Sequence, residues 1–412
     1  DRTMAGGRLH IPEPKARPGD RPDFSHLAFP EAGMTARPSP QSLERELREL
    51  PYGLIRVLDD DGQAIGPWNP KLTDKTLRAG LAHMMLTRAF DDRLFRLHRQ
   101  GKTSFFMKST GEEACAVAPS MALRSTDMAF PTYRVAGWLH ARGYPLEKMI
   151  NQIFSNAADP LRGRQLPILY SARDYGFYSL SGNVGSRFGH AVGWAMAAAY
   201  SGTDDLALAY IGDGTTAEGD FHEALTFASV YRAPAILCIT NNQWAISTYS
   251  GIAGGDATTF ATKALGYGIP GLRVDGNDFL AVWAAMDWAA ERARTGAGTT
   301  LIELVTYRAA GHSTSDDPTR YRPADEAEHW PLGDPVDRLR HHLIQSGAWD
   351  LKRDADLQAE QTAKVAAAVR ACEAIGTLGK SKPPLAEMFQ DVFHQPDWRI
   401  REQMRELGLS DA

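Results

Sequence analysis

Two stretches decide the fold: Leu206-Ala-Leu-Ala-Tyr-Ile-Gly-Asp-Gly214 and Pro234-Ala-Ile-Leu-Cys-Ile-Thr-Asn-Asn242. Each is a short apolar run without polar alternation, stopped by small or amide residues. Between them Phe221, Leu225 and Ala228 recur at helical spacing. Strands of this kind, joined through an amphipathic helix, point to a parallel sheet covered on both faces, because a strand buried on both sides gives no face to water. Leu272-Arg-Val274, a helical stretch over about 278–294 and a strand over 300–306 continue the alternation. The expected class is α/β, a mostly parallel sheet with helices on both faces, and ligands of such sheets sit at the carboxyl ends of the strands.

Working outward, Leu77 and Leu81, then Leu86, Phe90, Leu94 and Leu97, mark a helix that Gly101 stops. Thr110-Gly-Glu-Glu113 has the spacing of a capping box and is expected to open the next helix. A third helix covers 191–200, where alanine and glycine predict close packing. Ten prolines between Pro12 and Pro70 make residues 1–72 an extended arm, with Phe24, Leu27, Phe29 and Leu54 to bury against a partner. Beyond Pro331 the chain reads as polar helix with Leu339, Leu343 and Ile344 as its apolar stripe. The expected division is an arm over 1–72, an α/β domain over 73–330 and a helical region over 331–412.

Composition narrows the function classes. The 412 residues carry 45 Lys+Arg against 50 Asp+Glu, a net charge of −5 that gives no electrostatic footprint for nucleic acid. No apolar run approaches the ~18 residues of a membrane span. Cys115, Cys238 and Cys372 lie far apart, so neither a disulfide framework nor a zinc site is expected, and a reducing compartment follows. The proline-and-charge pattern of the first residues suits neither a secretory nor a transit peptide, so the expected location is cytoplasmic.

The chemistry concentrates at two strand ends. Gly212 and Gly214 let the backbone turn tightly, and the helix behind them offers free N–H groups to a phosphate. Asp213 and Asn242 then lie on one rim and supply hard oxygen ligands suited to Mg²⁺ held against a diphosphate. A nicotinamide oxidoreductase is the competing class. Its fingerprint fails here, because Gly212, Gly214 and Gly219 are spaced two residues too long and Asn241-Asn242 stands where an acidic ribose partner belongs. No P-loop occurs. Glu218, Asp220 and Glu223 would repel phosphate and read as helix N-terminal or interface charges.

Gly212-Asp213-Gly214, the helix after it and Asn241-Asn242 resemble the thiamine diphosphate motif. Gln243-Trp-Ala-Ile-Ser-Thr248, Thr306-Tyr-Arg308, Gly311-His-Ser-Thr-Ser-Asp-Asp317 and Tyr321-Arg322 narrow the resemblance to the α subunits of 2-oxo-acid dehydrogenase complexes. His312-Ser-Thr-Ser-Asp-Asp317 resembles the branched-chain type; pyruvate and acetoin dehydrogenase α subunits are the alternatives within the family. The similarity runs from about 71 to about 398.

The resemblance implies Mg²⁺ on Asp213, Asn242 and the carbonyl of Trp244. It implies cofactor contacts from Tyr133, Arg134, Ser181, Gly182, Val184, Gly212, Gly214, Thr215 and His312. It implies His312 as the active-site histidine, a residue that near its ordinary pKa can shuttle a proton to the sulfur of the acyl acceptor. Thr240 stands where the family often has Arg, which moves weight onto Arg134. The implied reaction is decarboxylation of a branched 2-oxo acid with acyl transfer to a lipoyl-bearing acyltransferase. A separate β subunit, in an α₂β₂ heterotetramer, would supply the pyrimidine side of the site.

Overall fold

The computed structural model describes residues 9–378, 380, 384–390 and 393–409. Its strands are β1 (Met128–Phe130), β2 (Ala207–Gly212), β3 (Ala235–Asn241), β4 (Trp244–Ala245), β5 (Thr248–Tyr249), β6 (Gly271–Asp275) and β7 (Thr300–Val305). Five form one sheet in the order β1-β2-β3-β7-β6, every pairing parallel, and β4-β5 is a separate antiparallel hairpin. The helices are α1 (Asp74–Arg99), α2 (Glu113–Ala122), α3 (Ala136–Ala141), α4 (Leu146–Phe154), α5 (Ser186–Tyr200), α6 (Gly219–Val230), α7 (Phe279–Arg294), α8 (Pro335–Gln345), α9 (Leu351–Ile375) and α10 (Trp398–Glu406). Among the described residues no helix is long and apolar enough to cross a membrane.

The unbroken apolar strands serve two cores. Leu208, Tyr210, Ile236, Cys238, Ile302 and Leu304 point to the face covered by α1, α2 and α7. Ala207, Ala209, Ile211, Leu237 and Ile239 point to the other face, against α5 and α6. Alternate residues face opposite sides of a pleated strand, so both parities must be apolar. That is why no alternation appears in the sequence.

Three expectations change. The capping box at Thr110 does not form: the Thr110 carbonyl accepts from Ala309 N at 3.0 Å, and Glu113 Oε2 instead takes Gly111 N at 2.9 Å while Oε1 takes Arg88 Nε at 2.8 Å. The loop is drawn onto the strand-end segment, so α2 starts without a side-chain cap at Glu112. The alanine-rich helix begins earlier, at Ser186, and packs closely on one side only: Gly189, Gly193, Ala197 and Tyr200 are exposed. The arm also reaches well into the main core. Leu47, Leu50, Ile55, Val57 and Trp68 are buried there, and Ile55 bridges to Val274 at the sheet edge. At the other end α8 and α9 lie on α1 through Leu339, Leu343, Val365 and Val369. No boundary in packing therefore separates residues 47–68 or 335–372 from the α/β layers.

Candidate active site

β2 ends at Gly212, and the chain turns through a short 3-10 segment, Gly214–Ala217, into α6. A Cβ on Gly214 would stand 2.5 Å from that of Ala245, so only glycine lets this turn approach the β4-β5 hairpin. Asp213 between the glycines is buried, and its Oδ2 has no hydrogen-bond partner. Burial pushes its carboxyl up to about 7. A buried carboxylate oxygen left unpaired is a costly feature, and such atoms are rare unless something else occupies them.

One strand over, Asn241 and Asn242 part company. Asn241 Nδ2 donates to Glu303 Oε1 at 2.8 Å, within the sheet's own floor. Asn242 Nδ2 donates to Glu112 Oε1 at 2.8 Å, and its Oδ1 accepts from Trp244 N at 3.3 Å. A carboxylate on one side and an N–H on the other fix which end of the amide is oxygen. Glu112 is itself buried, with Arg134 Nε 3.7 Å away; burial raises its pKa, opposed by Arg134 and the Asn242 bond.

The hairpin after Asn242 is strained. Gln243 and Ile246 have φ of 74° and 57°, left-handed values that a β-branched residue rarely accepts. Arg308 holds this shape from beneath: Nη1 donates to the Trp244 carbonyl at 3.0 Å, and Nη2 to the Ile246 carbonyl and the Tyr321 hydroxyl, each at 2.7 Å.

Arg134 and His312 close the opposite wall. Arg134 Nη1 donates to the Lys108 carbonyl at 2.7 Å, and Nη2 donates to the His312 carbonyl at 2.7 Å and to its Nδ1 at 3.1 Å. A guanidinium can only donate, so Nδ1 is the acceptor and the neutral ring carries its proton on Nε2. Tyr133 meets the ring edge to face at 5.8 Å. The backbone N–H of His312 donates to Asp316 Oδ2 at 2.6 Å. Burial, then Arg134 and Arg308, depress the His312 pKa to about 4. The expectation of a near-ordinary histidine is thereby corrected: burial and the two guanidiniums outweigh the Asp316 carboxylate, and the ring is neutral at pH 7.

These groups line one cavity of about 500 Å³. It gathers Tyr133, Arg134, Gly182, Val184, Gly212, Asp213, Gly214, Thr215, Asn242, Trp244 and His312. Ser181 is not on its wall; its Oγ accepts from Asn183 N at 3.1 Å and its carbonyl from Arg187 Nη2 at 2.5 Å. Arg187, Arg308 and Glu218 also line the cavity, and Glu218 stands at the N-cap position of α6 without a side-chain capping bond. Arg308 belongs to the motif Thr306-Tyr-Arg308, but nothing local reveals that its fork grips two carbonyls of a distant hairpin. Glu112 had no sequence signal beyond the discarded capping box.

The arrangement fits a magnesium diphosphate. The unpaired Asp213 oxygen, the oriented Asn242 amide and the Trp244 carbonyl are hard oxygen donors, and two guanidiniums stand by for anionic charge.

Comparison with known proteins bears on the same site. Residues 82–380 match the family described as Dehydrogenase E1 component, and residues 7–42 match 2-oxoisovalerate dehydrogenase E1 alpha subunit N terminal. The chain is 54% identical over 403 residues to the 2-oxoisovalerate dehydrogenase subunit alpha of Pseudomonas aeruginosa, covering 98% of each. It is 37% identical to the mitochondrial 2-oxoisovalerate dehydrogenase subunit alpha of Homo sapiens, over 86% of this chain and 79% of that one. It is 36% identical to subunit alpha 1 of the same name from Arabidopsis thaliana, over 95% and 82%. With a family match across most of its length and these identities, the chain belongs to the dehydrogenase E1 component family, whose members depend on thiamine diphosphate.

Proposed function

We propose that the chain is the α subunit of a branched-chain 2-oxo-acid dehydrogenase, working with a β subunit and a lipoyl-bearing acyltransferase. The observation that carries the reading is the buried Asp213 carboxylate with an unpaired oxygen, set beside Asn242, Trp244, Arg134 and His312 in one cavity. The relatives named as 2-oxoisovalerate dehydrogenase subunits support the acid class.

Bound thiamine diphosphate supplies the electron sink for loss of CO₂ from a 2-oxo acid. Asp213, Asn242 and the Trp244 carbonyl would hold its Mg²⁺. Arg134 and Arg308 put positive charge on the cavity wall near the diphosphate, and Arg308 also keeps the Trp244 carbonyl in place. With Arg134 and Arg308 offset by an anionic diphosphate, the His312 pKa would rise from about 4 toward its ordinary value. In that state His312 could take a second ring proton at Nδ1, in place of the Arg134 Nη2 hydrogen bond, and a ring proton could pass to the sulfur freed when a lipoyl disulfide opens. Val184, Ile246 and Ile252 give the cavity wall an apolar side, suited to a branched acyl chain. No carboxylate among these residues is assigned to the aminopyrimidine; that group falls to the β subunit. The bacterial relative supports a cytoplasmic location.

The test is to co-purify the chain with its β subunit and titrate thiamine diphosphate with and without Mg²⁺. Metal-dependent binding and a higher kcat/KM for 2-oxoisovalerate than for pyruvate are expected. Robust decarboxylation by the chain alone, or a preference for pyruvate over every branched acid, would overturn the corresponding half of the reading.

A further inference from the structure

Beyond the Asn241–Gln243 strip lies a second cavity, larger than the first at about 800 Å³. Successive residues divide between the two: Asn242 and Trp244 line the first, Asn241 and Gln243 only the second. Its floor is formed by the ends of β3, β6 and β7 and its roof by the arm between residues 10 and 28.

The charges in this cavity are unequally engaged. Each of its carboxylates already has a partner. Glu303 accepts from Asn241 Nδ2 at 2.8 Å and Ala261 N at 2.9 Å, Asp256 accepts the Tyr249 hydroxyl at 2.9 Å, and Glu13 pairs with Arg17 at 2.5 Å. The cations do not. Arg273 makes no side-chain hydrogen bond among the described residues, its Nε is buried without a partner, and the nearest carboxylate oxygen is 3.9 Å away on Glu303. The Phe29 ring covers its guanidinium, at 5.8 Å. Lys15, across the cavity, has no ion pair among the described residues. His10 and His26 add two imidazoles to the same wall, and burial with the Lys15 charge keeps His26 below its ordinary pKa, hence a neutral donor at pH 7.

A guanidinium that makes no side-chain hydrogen bond among the described residues, sharing a cavity with a lysine, is matched by a dianionic oxyanion: the guanidinium can take two oxygens and the ammonium balance the second charge. The volume lies within the range of small-molecule sites. We propose that this cavity binds a phosphate monoester of metabolite size, separately from the cofactor cavity and whatever the latter holds.

AMP and inorganic phosphate serve as probes, with calorimetry and ³¹P linewidths on the full chain co-purified with its partner subunit. AMP is expected to bind Arg134→Ala, which disables the cofactor cavity, within about twofold of wild type; Arg273→Gln and Lys15→Ala should each weaken it about tenfold or more. Lys15 is exposed on the arm, so its substitution leaves folding intact and the melting temperature unchanged. Loss of AMP binding with Arg134→Ala would move the site to the cofactor cavity and overturn the proposal. So would full retention in both Arg273→Gln and Lys15→Ala, or displacement of AMP by acetate as readily as by phosphate.

Discussion

Asp213 and Asp275 are both buried aspartates at the carboxyl rim of one parallel sheet, yet they are treated in opposite ways. Asp275 ends β6 and is neutralised: Arg338 Nη1 lies 2.7 Å from Oδ2, Arg56 Nε 3.5 Å, and Asn277 N donates to Oδ1 at 3.0 Å. Nearby Asp278 is satisfied by four backbone N–H groups, those of Val57, Leu58, Leu280 and Ala281. Asp213 follows β2 and has neither a cation within ion-pair distance among the described residues nor a partner for Oδ2. A carboxylate whose charge the fold has balanced belongs to the fold; one left unbalanced in a cavity awaits a ligand. Residue type and strand-end position are the same in both cases. Pairing is what separates them.

The largest effect should come from breaking the balanced member. Asp275→Asn strands Arg338 and weakens the tie of Arg56, and is expected to cost about 3–5 kcal/mol of stability, as for one lost partner of a buried ion pair. Chemical denaturation of the variant checks this. A loss below 1 kcal/mol would place Asp275 outside the structural class.

Asp213→Asn should do the reverse in cofactor-free protein. The folded pKa of about 7 lies above the unfolded value of 3.8. The wild-type carboxyl is therefore accommodated at low pH, and stability falls as pH rises from about 4 through about 7. The asparagine variant carries no such loss, so by pH 8 it should be the more stable form, by at most about 4 kcal/mol. Melting curves from pH 5 to pH 8 measure the crossing. Saturating Mg²⁺ and thiamine diphosphate should remove the wild-type deficit and leave Asp213→Asn unmoved.

His312→Ala tests whether the unbalanced side of the rim also moves a proton. Flux to the lipoyl acceptor should fall by about 10²-fold or more, with cofactor Kd little changed and dye-linked decarboxylation partly retained. A proportionate loss in all three measurements would make His312 a support for its loop.

The smallest effect sharpens the metal side. Glu112 accepts the Asn242 amide, so Glu112→Ala should weaken Mg²⁺-dependent binding about tenfold, whereas Glu112→Gln, which keeps an acceptor oxygen, should stay within about threefold. Equal losses in the two variants would show that charge, rather than orientation of the amide, is what Glu112 contributes.

Much of the site was legible because it is built from strand ends. Asp213 and Asn242 stand directly after apolar runs that pair in register, Gly212 opposite Thr240, so adjacency in the sheet follows from adjacency of the two β units in the chain. Tyr133, Arg134 and His312 came from the family's motifs, and the cavity collects them. Arg308 and Glu112 did not show themselves, because their roles are hydrogen bonds made 62–64 and 130 residues away in the chain. The capping box failed for a related reason. Thr110 has local partners available, but its backbone is claimed by Ala309 across the rim, and a tertiary contact outweighed a local propensity.

By itself, the sequence determined the parallel sheet, its burial on both faces, and the placing of one carboxylate and one amide at neighbouring strand ends. All of these depend on local periodicity and on the order of elements along the chain. Only the tertiary structure decided that the proline-rich arm is core as well as cover, that Gln243 and Ile246 are held in left-handed geometry by Arg308, and that Asp275 is paired while Asp213 is not. Charge compensation and strain depend on which groups meet within a few ångströms. Partners such as Asp275 and Arg338, 63 residues apart, leave no periodic trace in the chain.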